Sequence, residues 1–182
     1  MDTPPPDKAA PMASAPLKYL PDGSVDWGNM WDTFCVLARD GGPPHRPTTL
    51  YAQEDSVIDS PEYQFVVTEL IRGIQAVCGL TAQAAGPGWV AVHTNSVAMA
   101  QWLAESIEQE HVQARADGAN LLVPAGSHFM VKGEIKNVIT AVAKTTHYWH
   151  THVPAEVKRT LAVQAWIDQQ VTRVRTWWSR RR

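Results

Sequence analysis

Apolar positions recur at three- and four-residue steps through SPEYQFVVTELIRGIQAVCGL, where Tyr63, Val66, Val67, Leu70, Ile71, Ile74, Val77 and Cys78 form one stripe of a helix. Ser60 is placed to cap it, Pro61 suits the first helical position, and Gly79 ends it. DWGNMWDTFCVLARDGG carries a shorter amphipathic pattern from Trp27 to Ala38, stopped by Gly41 and Gly42. GPGWVAVHT alternates and is rich in β-formers, so it predicts a strand. Asn95 or Ser96 then caps a helix in VAMAQWLAESIEQEH, with Met99, Trp102, Leu103 and Ile107 inward.

VQARA, the turn pair Asp117-Gly118 and NLLVPAG predict a β-hairpin. GEIKNVITAVAKTTHYWHTH predicts a helix with Ile135, Val138, Ile139, Val142 and Trp149 on one side. Pro154 disfavours helix at Val153, so a new helix is expected from Ala155, its apolar face formed by Val157, Leu161, Val163, Ile167, Val171, Val174 and Trp178. The order α, α, β, α, β, β, α, α predicts an α+β fold: a three- to four-stranded antiparallel or mixed sheet with helices packed on one face. Residues 88–150, read as β-α-β-β-α, resemble part of a ferredoxin-like plait, a scaffold too widely used to name an activity.

At 182 residues and 45% hydrophobic content the chain is sized for one core. Six of thirteen prolines lie at or before Pro21, which predicts a disordered Pro/Ala-rich leader over 1–24, a single domain over 25–153 and a C-terminal helical segment over 154–182. No continuous apolar run marks a signal peptide or a membrane span, so a cytoplasmic location is the expectation. Cys35 and Cys78 sit in apolar runs without metal or redox spacing and read as buried thiols. From Pro154 onward seven basic residues face two acidic ones, a net +5, leaving −7 to the rest of a chain of net charge −2. That acidic body disfavours nucleic acid as a partner.

Three places carry candidate chemistry. In THYWHTHVP, His147 and His150 share one helix face, and His152 lies where Pro154 frays the end, a set able to hold a divalent metal such as zinc. The competing reading is an aromatic helix end whose histidines meet carbonyls. In DGGPPHRP, prolines on both sides stiffen the backbone around His45 and Arg46, a pair suited to a carboxylate or phosphate, or else a rigid connector. VPAGSHFMVKGEIK leads into a helix, where free backbone N–H groups could hold an anion with help from Ser127, His128 or Lys132, or mark an ordinary helix entry. No G-x-S-x-G elbow or local partner for either cysteine supports nucleophilic catalysis.

The leading expectation is a small accessory or binding protein with a His/Arg-lined pocket or interface, its polar groups His45, Arg46, His147 and His150, which meet in one cleft only if the helix ending at His147 and His150 packs near GGPPHRP. The alternatives are a metal-dependent enzyme built on His147 and His150 and an adaptor recruited through its basic terminal helix. Residues 154–182 are the expected route to a homo-oligomer or an acidic protein partner.

Overall fold

The computed structural model describes residues 17–29 and 46–179, and of 174, 175 and 177–179 the backbone only. Residues 30–45 lie outside the described part, and with them most of the first expected helix, Cys35 and His45.

The longest apolar stripe forms helix α1 (Pro61–Cys78): the Ser60 hydroxyl accepts the Tyr63 N–H at 3.2 Å, and Gly79 adopts φ 67° at the C-cap. Strand β1 (Ala82–Ala84) follows and turns into β2 (Trp89–His93), which was expected, whereas β1 was not. Its sequence, AQA, contains no β-former, so it is held as an edge by its pairing to β2. Helix α2 (Val97–Gln109) starts at Ser96, whose hydroxyl accepts the Met99 N–H. The hairpin consists of β3 (Arg115–Asp117) and β4 (Asn120–Pro124). A kinked segment, Val131–Ile135, with Gly133 outside helical geometry (φ −110°, ψ −105°), leads into α3 (Lys136–Thr151), and α4 (Ala155–Ser179) is the last described element.

The four strands lie in the order β1-β2-β4-β3, every neighbour antiparallel. β2 and β3 therefore point the same way with β4 between them, which is the split β-α-β arrangement of a plait. The outer place beside β2 is taken by β1, which precedes it in the chain. Val90, Val92, Leu121 and Val123 share one face of the sheet and are fully buried in the core with Leu70, Ile74, Leu103 and Ile107. On the other face Trp89 is covered by the Arg115 guanidinium, 4.0 Å above its ring. No helix among the described residues is long and apolar enough to cross a membrane.

The body takes in part of the stretch that composition assigned to a leader. Residues 19 and 25 form an antiparallel bridge, Val25 and Trp27 are buried, and the Trp27 indole donates to Glu69 Oε1 at 2.9 Å. Arg72 pairs with Glu69 and donates to the Val25 carbonyl at 2.8 Å, so the Glu69–Arg72 pair of α1 holds the chain at both Val25 and Trp27.

α3 departs from the one-sided pattern expected of it: every residue from Ile135 to Thr146 is buried, Lys136, Asn137, Thr140 and Lys144 included. The helix packs against both α1 and α2, so more than one of its faces is covered. Its approach to α1 is close enough to require Gly73, where a Cβ would stand 2.2 Å from Ile139 Cδ1. Cys78 lies beside Thr146 of the same helix, and desolvation pushes its thiol up to about 12. Such a thiol stays protonated and inert at neutral pH. Alkylation with iodoacetamide at pH 8, mapped by peptide mass spectrometry, is expected to leave Cys78 unlabelled in the folded protein and to label it in denaturant. The shift also stabilises the fold fully below the ordinary thiol range, and that contribution is lost as pH rises towards 12.

Candidate functional site

Three chain segments that are far apart in sequence run side by side at one end of the sheet. Leu50 docks beside Val112 through Leu50 N–H to the His111 carbonyl and Gln113 N–H to the Leu50 carbonyl, both 2.8 Å. The chain then continues along the strand ends: Ala52 N–H donates to Gln113 Oε1 at 2.8 Å and Gln53 N–H to the Ala125 carbonyl at 3.0 Å. Ala125 N–H in turn donates to the Gly88 carbonyl at 2.7 Å. Segments 52–54, 86–89 and 124–127 are thereby tied together by their backbones.

Two glycines permit that approach. Gly88 has φ 79°, and a Cβ on it would lie 2.9 Å from the Gln53 carbonyl carbon and the Glu54 nitrogen. At Gly126 a Cβ would stand 2.3 Å from Gln53 Oε1. The Tyr63 hydroxyl braces the turn between β1 and β2, donating to the Gly86 carbonyl at 2.8 Å and accepting from Gly88 N–H at 2.9 Å. Desolvation holds this phenol above its ordinary pKa, so it remains a donor. Glu54 accepts from the Trp89 indole at 2.8 Å and lies 3.9 Å from Arg115, which anchors the loop to the sheet.

Between this loop, the start of α1 and the turn after β4 lies a cavity of about 550 Å³, lined by Gln53, Asp55, Ser56, Val57, Ser60, Glu62, Ser127 and His128. Ser127 N–H reaches the Ser56 hydroxyl at 3.4 Å, joining the two walls. Hydroxyls, an amide, an imidazole and two carboxylates face the space, and among the described residues no lysine or arginine lines it. Asp55 and Glu62 are exposed, and Glu62 occupies the first turn of α1, where it offsets the positive end of the helix dipole.

Of the residues singled out from sequence, Ser127 and His128 line this cavity. Arg46 stands nearby in the chain's path, 3.7 Å from Glu134, whose other oxygen accepts the Met130 N–H at 3.0 Å. Arg46 thus steadies the turn that presents Ser127 and His128. The expected convergence with the histidine cluster is not what the fold builds: Glu134 precedes α3 and His147 lies near its end, a separation of about 20 Å along the helix. His45, its neighbour, is outside the described residues.

At the far end of α3 the rings of His147 and His152 meet edge to face with centroids 5.6 Å apart, and Tyr148 lies 4.9 Å from His152. His150 is exposed, and its carbonyl accepts from Lys158 at 3.4 Å. Among the described residues no three His, Cys, Asp or Glu side chains are grouped to hold a metal ion. Trp149 turns inward against Trp102 at 5.5 Å, with the Lys158 ammonium 5.5 Å from its ring.

Sequence reasoning missed Gln53, Asp55, Ser56, Ser60 and Glu62 as cavity residues. Ser60 read as a helix cap, and neither Glu62 nor the 53–57 loop belongs to a motif. The available signal was Gly88 and Gly126, glycines flanking strand ends where another backbone or side chain passes close. Comparison of the chain with protein-family models, with curated proteins and with solved structures gives no match.

Proposed function

We propose that this is a small binding protein whose cavity takes a polar ligand bearing a cationic group, an amine or guanidine with hydroxyls nearby. The observation that supports this reading is the composition of the wall: Asp55 and Glu62 supply negative charge, Ser56, Ser60 and Ser127 supply hydroxyls, and among the described residues no Lys or Arg is there to welcome an anion. Gln53 and His128 add donors and acceptors that fix orientation, and Val57 offers a small apolar contact. The backbone ties around Gly88 hold the walls before any ligand arrives, which limits the ordering cost of binding.

Glucosamine and putrescine are suitable probes, with glucose and inorganic phosphate as neutral and anionic controls. A cationic probe at a hundred times its dissociation constant is expected to stabilise the protein by about 2.7 kcal/mol, a rise of several degrees in melting temperature. Glu62→Gln and Asp55→Asn should each reduce that rise while leaving the unliganded melting temperature near the parent's. A response to phosphate equal to or larger than that to the amines would overturn the reading, as would no response to either amine at millimolar concentration.

A further inference from the structure

Helix α4 has two apolar faces, and the structure covers one. Leu161 and Ala165 face α2, Ala165 only 3% exposed. On the other side Val163 and Trp166 are each 59% exposed, Ile167 47% and Val171 48%. This corrects the single packing face expected from sequence: Leu161 goes inward, whereas Val163, Ile167 and Val171 do not. An exposed stripe of this kind on a single helix marks a surface made to be covered.

We infer that a second copy of this chain covers it, through an antiparallel pairing of the two α4 helices. The steps from 163 to 167 to 170 are four and three residues, and in the sequence they continue to 174 and 177. That alternation is the seam of two helices wound on each other. Placing Ile167 opposite the partner's Gln170 also places 163 opposite 174 and 160 opposite 177, so the seam is complementary to itself about a two-fold axis.

Charge selects the antiparallel arrangement. Arg173, Arg175 and Arg180–Arg182 crowd the end of the chain, while Glu156 stands in the first turn of the helix. Parallel helices would set these arginines beside one another. In the antiparallel register those basic stretches lie apart, the dipoles oppose, and a segment of net +5 approaches a body of net −7. A bilayer would accept the apolar face, but the same acidic body disfavours an anionic membrane.

Sedimentation equilibrium of the full chain is expected to return twice the 20.1 kDa chain mass at micromolar concentration. Trp166→Glu with Ile167→Glu should weaken association by roughly tenfold or more and leave the melting temperature at low concentration unchanged, because both side chains are exposed in the monomer. Mixing a Val163→Cys chain with a Val174→Cys chain under mild oxidation should give a disulfide between those positions, identified by peptide mass spectrometry. A disulfide joining 163 to 163 in the Val163→Cys chain alone would overturn the antiparallel register. A monomer at about 100 µM, a dimer undisturbed by the double substitution, or a monomer that co-floats with phosphatidylserine vesicles would each overturn the pairing. None of these outcomes touches the cavity, so the two proposals fail separately.

Discussion

Replacing Gly88 with alanine is expected to lower stability by about 2–4 kcal/mol and to open the cleft, a larger effect than a methyl group suggests. Two costs combine. The φ of 79° is one that L-residues rarely adopt, worth about 1–2 kcal/mol by itself. The new Cβ would also meet the backbone of Gln53 and Glu54 at 2.9 Å, and a backbone held by hydrogen bonds cannot swing aside as a side-chain tip does. Gly118 provides the control: its φ is 57°, and a Cβ there meets nothing within 4 Å. Gly118→Ala should therefore cost about 1 kcal/mol, the conformational part alone. Urea unfolding of both variants separates the two costs. If Gly88→Ala is no worse than Gly118→Ala, the 52–54 segment is free to withdraw, and the cleft is not the preformed site proposed above.

The same comparison bears on recognition. Gln53 borders the cavity, and its backbone, clamped between Gly88 and Ala125, decides where its side chain points. Gly126→Ala acts on that side chain instead, since the added Cβ would displace its amide. Shape of the cavity and stability of the strand ends are thus set by the same few backbone atoms.

How much of this was legible in the sequence depended on whether local signals were sufficient. α1 and α2 were, because a stripe of large residues and a serine cap state both the face and the start of a helix. The β3–β4 hairpin was legible from Asp117-Gly118 between alternating runs. β1 was not, since AQA has no preference of its own and exists through pairing with β2. Nor was the burial of α3: Lys136, Asn137, Thr140 and Lys144 lie outside the apolar side that the pattern predicts, and only tertiary packing turns them inward. α4 showed the opposite limit, because its apolar residues were visible but nothing local says which of two apolar faces meets the body. At the site, Ser127 and His128 could be found as a helix entry, whereas the wall from 53 to 62 needed the chain path that brings it there.

Glu110→Ala is expected to destabilise the fold by about 3–5 kcal/mol, by taking away the carboxylate to which a buried ammonium is bonded. Lys144 Nζ lies 2.5 Å from Glu110 Oε1, and the two side chains are only 3% and 11% exposed. An exposed ion pair contributes less than about 1 kcal/mol, so burial decides the magnitude here. Burial also decides the sign of the double replacement. Each charge has lost its hydration, and their attraction roughly offsets that loss; removing one partner leaves the cost of the other, while removing both removes both costs. Lys144→Met with Glu110→Leu should therefore lie within about 2 kcal/mol of the parent, well above the Glu110→Ala protein. Guanidinium unfolding of Glu110→Leu, Lys144→Met and the double variant gives the coupling between the two positions. A double-variant loss equal to the sum of the two single losses would mean that the two residues act independently, and that the join between the end of α2 and α3 is held by packing alone.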